Sequence, residues 1–148
     1  MKADKYLLFR IGDIALATAS SGVMSIHETV SVGPVPNTAH WFCGLAVIKG
    51  KLLPITDMGK FLVGKEACGH VLEVHPSLGI AGLRVDQVDG FTETIAEIHD
   101  VDLAFKALPE AIGLSRFAVS YSSVWYQVLE LPVLLNCGRF VDIAAETT

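Results

Sequence analysis

The chain has 148 residues, 51% of them apolar, which is enough to bury one sizeable core in a single domain. Its apolar residues fall in short runs, none approaching the ~18 residues of a membrane span, and the N-terminus lacks the apolar segment of a signal peptide, so we expect a cytoplasmic protein without direct membrane insertion. The net charge is −5, and residues 75–148 carry four basic against ten acidic residues, which argues against nucleic acid as a partner.

The N-terminal part of the chain predicts a β-hairpin. Residues 6–11 and 14–18 are short apolar runs separated by a Gly-Asp pair, which is the pattern of strand, tight turn and strand. A pair of serines follows, and either can cap a short helix that holds Val23 and Ile26. Glycine and proline residues at positions 33–37 then break any regular element.

The central part of the chain predicts a second hairpin that ends in a turn of helix. Apolar runs at residues 45–48 and 52–55 flank a Lys-Gly-Lys turn, in which Gly50 can take the positive φ that a tight hairpin needs. Asp57 follows the second strand directly. Its carboxylate fits the cap of a short helix that begins at Met58.

Later in the chain the same patterns return. Apolar runs at residues 71–75 and 80–85 resemble the first hairpin, and runs at 116–121 and 124–129, followed by Glu-Leu, parallel the central one. The offsets are about 65 and 73 residues, so the sequence predicts two copies of one small β unit.

Short strands at regular spacing, separated by turn signals, favour small barrels over a helical fold. We therefore expect a mainly β protein made of one domain over residues 1–148. Its first barrel core would cover about residues 14–65 and its second barrel about residues 70–130, with terminal segments that can cross over between the two.

The sequence lacks the catalytic templates that can be recognised by spacing. It contains no glycine-rich phosphate loop, no nucleophile elbow and no His-Glu-x-x-His zinc motif. Its five histidines are scattered at spacings that suit no metal site, and its three cysteines include no Cys-x-x-Cys pair for a zinc ribbon or a disulfide framework. Asp57 could be imagined as a general base, but its position before a helix fits a cap better. We expect no enzymatic activity, no metal and no cofactor.

Segments around the central hairpin carry a family resemblance. Val-Pro-Asn begins at Val35, Trp-Phe-Cys-Gly-Leu begins at Trp41, and Leu-Leu-Pro-Ile-Thr-Asp-Met begins at Leu52. With the turn at Lys49 between them, these segments resemble the signature of the CheW-like adaptor family. Their sequences are most similar to those of the PilI-type members of twitching-motility systems. The resemblance implies two SH3-like five-stranded β-barrels that share a core, with short helices.

The resemblance also implies a function and partners. Members of this family are non-enzymatic adaptors that couple methyl-accepting chemoreceptors to a CheA-type histidine kinase in a chemosensory array. By resemblance, the barrel edges of this chain would pack on the regulatory domain of the kinase. The cytoplasmic tip of the receptor would lie in a hydrophobic groove between the two barrels. The PilI-type wording implies the pathway of type IV pilus twitching motility.

Six partner-binding positions can be carried onto this chain from the family motif. They are Val23, Ile26, Gly44, Lys49, Gly82 and Val85. Two positions depart from the family pattern. Lys49 replaces an arginine, which removes a planar bidentate fork, and Ser25 stands where the family has a glutamate. We therefore expect partner choice to differ from that of an ordinary CheW.

Two other interpretations stay open on the sequence alone. The chain could be a small-molecule-binding double β-barrel, or a degenerate CheW-like module with a purely structural role. The shape of the groove between the barrels bears on the first of these. A closed pocket with converging polar groups favours a small ligand, and an open apolar trough favours a partner helix.

Overall fold

The computed structural model describes residues 5–92, 98–100 and 114–144, which are mainly β structure with three short helices. The strands are β1 (Tyr6–Ile11), β2 (Ile14–Ala19), β3 (Val23–His27), β4 (Val32–Gly33), β5 (Phe42–Ile48), β6 (Lys51–Asp57), β7 (Val71–Val74), β8 (Gly82–Arg84), β9 (Gln87–Phe91), β10 (Ile98–Asp100), β11 (Leu114–Tyr121) and β12 (Val124–Leu129). The helices are α1 (Met58–Val63), α2 (Leu131–Leu135) and α3 (Gly138–Val141), and a 3-10 turn spans Ser20–Gly22. The predicted mainly β class is confirmed.

Two six-stranded sheets make up the fold, and they have the same internal order. The first unit contains β3 to β8 in the order β4-β5-β6-β8-β7-β3, and the second unit has the order β10-β11-β12-β2-β1-β9. In each unit one central pair is parallel, β6 with β8 and β12 with β2, and the other pairs are antiparallel. The two units are therefore copies of one topology, as the repeated hairpins predict.

The correspondence between the units extends to single residues at the parallel pairs. Ile55 lies opposite Gly82 in the first unit, and Val128 lies opposite Ala17 in the second. These pairs reproduce the offsets of about 65 and 73 residues that relate the hairpins in the sequence. The parallel strand pairs of the two units therefore have the same register.

The turns and the edge strands of the two units correspond as well. Both residues of each central hairpin turn have positive φ, at Lys49 and Gly50 in the first unit and at Ser122 and Ser123 in the second. The edge strands β3 and β9 each contain one extra residue at a β-bulge, namely Met24 in β3 and Asp89 in β9. A bulge twists an edge strand and re-aims the side chain of the extra residue.

The grouping of strands differs from the expected division of the chain near residues 65–70. In the structure β7 and β8 complete the first unit instead of opening the second. The N-terminal hairpin, β1 and β2, pairs with β9 and β12, so the two ends of the chain build the second unit together. Each unit also has six described strands instead of five. Pairing between distant segments leaves no local signal in the sequence, which is why spacing alone misplaces the boundary.

The short helix expected around Val23 and Ile26 is wrong. The preceding 3-10 turn ends at Gly22, and both residues lie on β3, which pairs with β7. Both residues are half-buried in that pairing, so tertiary pairing outweighs the local capping signal of the serines.

The main core lies between the two units. Its buried side chains come from both sheets and from α1 and α2, and they include Phe9, Leu16, Met58, Phe61, Leu83 and Leu134. A smaller cluster fills each unit, around Val119 in the second and around Ile55 in the first. The two units therefore share one core, and truncating one of its large side chains to alanine would cost about 2–5 kcal/mol.

The helices are short and lie at the ends of strands. Asp57 Oδ1 accepts a hydrogen bond from the Lys60 N–H at 2.9 Å, which confirms the predicted cap of α1. α1 ends at Gly64, whose φ of 76° is left-handed. Among the residues that the structure describes, none of the helices combines the length and the hydropathy needed to cross a bilayer.

Candidate partner-binding surfaces

Three of the six predicted partner-binding positions are buried in the first unit. Gly44 has a φ of 136°, and a Cβ there would clash with the carbonyl oxygen of Gly33. At Gly82 a Cβ would lie 2.6 Å from Cδ1 of Ile55, and Val85 is fully buried. These positions hold the backbone and the core together. Their burial is at odds with direct contact to a partner, so we assign them a supporting role.

The other three positions lie at or near the surface. Val23 and Ile26 are half-buried on the edge strand β3, and their side chains pack against the shared core. Lys49 is exposed in the hairpin turn, with a φ of 51°. Ser25, at the family's glutamate position, lies opposite Glu73 on β7. A contact of these residues with a partner stays a prediction.

One apolar groove lies between the two units, and we call it the inter-unit groove. It has a volume of about 410 Å³, and its lining includes Tyr6, Thr18, Gly22, Leu78, Leu131 and Val133. The Thr18 hydroxyl donates to the carbonyl oxygen of Leu129 at 2.9 Å, so this buried polar group is already satisfied. The groove is an open, largely apolar trough, and its shape favours a partner helix over a small polar ligand.

A second groove, the C-terminal groove, lies between the first unit and the last two helices. Its volume is about 280 Å³, and it is lined by residues that include Phe42, Pro54, Thr56, Leu135, Val141 and Ile143. Phe140 holds α3 in place, because its ring stacks on Trp41 at a centroid distance of 6.3 Å and meets Phe61 edge-on at 5.5 Å. The Arg139 guanidinium lies 4.2 Å above the Phe61 ring.

The third groove lies within the first unit, beside the central hairpin, and we call it the hairpin groove. Its volume is about 330 Å³, and its lining includes Met24, Ile48, Lys51, Leu52, Glu73 and Ile80. Three of its apolar side chains are strongly exposed: Met24 by 54%, Leu52 by 62% and Ile80 by 69%. Large apolar side chains that share one groove mark an interaction site more often than scattered ones do.

The loop between β7 and β8, residues 75–81, forms a wall of all three grooves. Leu78 lines both the inter-unit and the C-terminal grooves, and Ile80 lines both the C-terminal and the hairpin grooves. The loop is fixed at its start, since the His75 N–H donates to the Gly22 carbonyl at 2.8 Å and His75 Nδ1 accepts from the Ser77 N–H at 3.1 Å. The grooves therefore adjoin one another across a well-anchored loop.

Two carboxylates that could attract a catalytic interpretation are engaged by the backbone. Asp57 is 2% exposed and accepts hydrogen bonds from the N–H groups of Lys60 and Ala67. Asp86, at the family's acidic position, accepts from the N–H groups of Gly12 and Cys68, so it ties the β1–β2 turn to the loop before β7. Both side chains act as structural acceptors for loops.

The second unit contains a polar cluster around Asp89. Its carboxylate accepts from Arg10 Nε at 2.9 Å, from the Tyr126 hydroxyl at 2.8 Å and from the Gln87 amide. Burial by itself raises the pKa of Asp89, but the hydrogen bonds from Tyr126, Gln87 and Arg10 outweigh burial and lower that pKa overall. The bond to Asp89 raises the pKa of Arg10, and burial followed by the Asp89 bond raises the pKa of Tyr126. The three groups stay in their ordinary charge states at neutral pH and form a stable network.

The described residues contain no group of three or more histidine, cysteine or acidic side chains placed to hold a metal ion. Burial raises the pKa of the Cys43 thiol, which keeps it protonated and weakens it as a nucleophile. Chemically, the grooves can bury apolar side chains of a partner, and their rims can select it by charge.

Sequence reasoning missed Met24, Leu52 and Ile80 as surface residues. One signal was present: Leu52 and Leu53 are consecutive on β6, so a strand with alternating faces must expose one of them. Met24 gives no such signal, because the bulge that aims its side chain is visible only in the pairing with β7. Ile80 lies in a loop, where alternation does not apply.

Comparisons with known proteins bear on both the family and the fold of this chain. A family model described as a CheW-like domain matches residues 5–112. Protein FrzA of Myxococcus xanthus is 30% identical over 64 residues, which cover 43% of this chain and 40% of FrzA, so the match spans less than half of that relative. The crystal structure of the scaffolding protein TtCheW from Thermoanaerobacter tengcongensis superposes with a TM-score of 0.77 at 20% identity, over 93% of this chain and 95% of TtCheW. That superposition establishes the fold of two β subdomains.

Proposed function

The chain belongs to the family of CheW-like domains, and on that premise we propose that it is a non-enzymatic adaptor that couples a methyl-accepting chemoreceptor to a CheA-type histidine kinase. The observation that carries the proposal is the inter-unit groove, which is open, largely apolar and bordered by rigid strands and α2. A docking protein needs such exposed apolar anchors on rigid elements more than it needs perturbed titratable groups.

The cytoplasmic tip of a chemoreceptor is the partner that we assign to the inter-unit groove. An amphipathic helix binds by placing an apolar stripe in a groove of this kind, and Val133 of α2 would meet that stripe. Val133 is 47% exposed, so it can contact a partner without rearrangement of the core.

The regulatory domain of the kinase is the partner that we assign to the edge of the first unit. β3 is the edge strand of this unit, and the exposed Lys49 lies in the turn of its central hairpin. Charged residues at an interface set partner choice and association rate more than affinity. Lys49→Glu should therefore weaken association with the kinase without unfolding the domain, and unchanged association would remove Lys49 from the interface.

The groove assignment is tested with a receptor-tip helical hairpin and the full chain. We expect low-micromolar binding by calorimetry, about −8 kcal/mol. Val133→Asp should weaken it about tenfold, because the carboxylate would be buried against an apolar stripe. Met24→Asp is the matched control, since it introduces the same charge at an exposed apolar residue outside this groove. Absence of binding to any receptor tip or CheA-type kinase would overturn the adaptor proposal.

We further propose that the protein works in a type IV pilus twitching pathway, in the cytoplasm at receptor arrays. The support is the similarity of the sequence from Leu52 to Met58 to that of PilI-type members. Deletion of the gene in its host should abolish surface twitching and leave swimming intact, and a fluorescent fusion should lose its clusters in a strain without receptors. Loss of swimming alone would contradict the pilus assignment.

A second candidate is a CheW-like module that binds the kinase and no longer contacts receptors. The departures at Ser25 and Lys49 favour it, because both fall at positions carried over as partner-binding or next to them. Restoration of the family residues by Ser25→Glu with Lys49→Arg separates the candidates. Receptor binding that appears only in the double variant supports the degenerate module, and binding by the natural chain excludes it.

A further inference from the structure

The hairpin groove has a property that the fold does not require. The first unit exposes Met24 at the bulge of its edge strand, with Leu52 beside it. At the corresponding bulge of the second unit stands Asp89, and its carboxylate is bound by Arg10 and Tyr126. The same backbone site is therefore an open apolar groove in one unit and a satisfied polar network in the other.

Exposure at this site has an energetic cost that the second unit shows to be avoidable. The three exposed side chains of the hairpin groove are more than half accessible, and burying them on a partner would be favourable because it removes apolar surface from water. A groove of about 330 Å³ is at the small end of binding pockets, which suits a few side chains of a partner and not a whole protein face.

The backbone beside the groove favours a partner helix over a partner strand. A flat edge strand invites a partner strand, but the bulge at Met24 twists β3 and interrupts its ladder. The flexible thioether of Met24 adapts to varied apolar side chains. A helix that inserts side chains into the groove needs no backbone ladder, so the geometry favours a helix over an added strand.

The charged side chains at the rim of the groove favour a partner of one sign of charge. Lys51 lines the groove and Lys49 lies in the adjoining turn; both are exposed, and neither forms an ion pair with an acidic residue in the described part of the chain. The acidic side chain of the groove, Glu73, is already paired with His27 Nε2 at 2.8 Å. An occupant with carboxylates near the turn would therefore be attracted.

From these observations we propose that the hairpin groove binds a short amphipathic helix of another protein, which inserts two or three large apolar side chains and places acidic residues beside Lys49 and Lys51. The groove lies within the first unit, apart from the inter-unit groove. The proposal does not depend on the receptor assignment, and it shares β3 and Lys49 with the edge that we assign to the kinase, so a helix bound here would compete with the kinase domain.

The probes are two synthetic helical peptides of about 16 residues with the same leucine stripe, one flanked by glutamates and the other by lysines. In NMR titrations of the full chain we expect the acidic peptide to shift the amides of Met24, Leu52 and Ile80. It should bind about tenfold more tightly than the basic peptide. Lys51→Glu should reverse that preference.

Matched variants separate this site from the inter-unit groove. Met24→Asp should weaken the acidic peptide about tenfold, whereas Val133→Asp should leave its affinity within about twofold, the reverse of their effects on a receptor tip. Leu52→Glu serves in place of Met24→Asp if thermal melting shows that the latter unfolds. The proposal would be overturned by equal affinity of the two peptides or by equal effects of the two aspartate variants. It would also be overturned by amide shifts confined to the inter-unit groove or by the absence of saturable binding.

Discussion

The first and second units use one strand order to build different surfaces. Their parallel pairs, their hairpin turns and their edge bulges fall at corresponding positions. The first unit nevertheless exposes Met24 in an apolar groove, and the second uses Asp89 to hold a polar network. The comparison teaches that register fixes where a side chain is presented, while the identity of a single residue decides whether that place is open to a partner.

The largest effect is expected where the units differ in backbone packing. Gly44 and Phe117 lie the same number of residues before the hairpin turns of their units, so they occupy corresponding positions. Only the first unit therefore requires a glycine there. Gly44→Ala should cost about 3 kcal/mol or more of unfolding free energy, because the Cβ would clash with the carbonyl of Gly33. Urea unfolding followed by tryptophan fluorescence measures the loss.

A second glycine on β9 isolates the cause of that loss. Gly90 has a φ of 125°, close to the 136° of Gly44, but a Cβ there would meet nothing within 4 Å. Gly90→Ala should therefore cost about 1–2 kcal/mol, from backbone strain alone. Equal losses at Gly44 and Gly90 would show that strain, and not the close approach of Gly33, explains the need for glycine.

The next largest effect concerns the residues before α1 and α2. Asp57 accepts hydrogen bonds from Lys60 and Ala67, whereas the corresponding Glu130 makes no side-chain cap. Asp57→Ala should cost about 2 kcal/mol, since it removes a cap and leaves the Ala67 N–H without its acceptor. Glu130→Ala should change stability by less than about 0.5 kcal/mol. A comparable loss at both sites would mean that the units are capped alike.

Removal of the Asp89 carboxylate tests the polar network of the second unit. Asp89→Asn should cost about 1 kcal/mol at neutral pH, because partial solvent exposure screens the charged hydrogen bonds. The lowered pKa of Asp89 means that its contribution is complete above the unfolded value of about 3.9 and is lost as pH falls through the folded pKa. Unfolding free energy below about pH 4 should therefore depend less on pH in Asp89→Asn. The exposed turn residue Asp13 is the matched control, and Asp13→Asn should change the unfolding free energy at neutral pH by less than about 0.5 kcal/mol.

The local features of this fold were predictable, and the long-range ones were not. The Lys-Gly turn and the apolar runs at residues 45–48 and 52–55 specify β5 and β6 because a two-residue turn fixes their register. The cap at Asp57 is local in the same sense. The parallel pairing of β12 with β2 joins residues more than 100 positions apart, and no turn residue marks it.

The residues of the candidate site were likewise predictable only in part. Motif matching identified Gly44, Gly82 and Val85 because the fold constrains them strongly, and that constraint is the reason they are buried. Met24 and Ile80 are exposed, so the packing of the fold constrains them weakly. Their positions in a bulge and a loop hide them from periodicity, so they required the structure.

The smallest expected effect would make the two hairpins more alike. Ser122 and Ser123 have φ values of 50° and 65°, in the turn where the first unit has lysine and glycine. A serine in the left-handed region carries strain that glycine does not, so Ser123→Gly should raise the unfolding free energy by up to about 1 kcal/mol. Ser120→Gly on the adjoining strand β11 is the control, and it should destabilise because glycine weakens a strand. If Ser123→Gly destabilised the protein to the same degree, backbone freedom in the unfolded chain would outweigh turn strain, and the second turn would be adapted to serine in a way that the first is not.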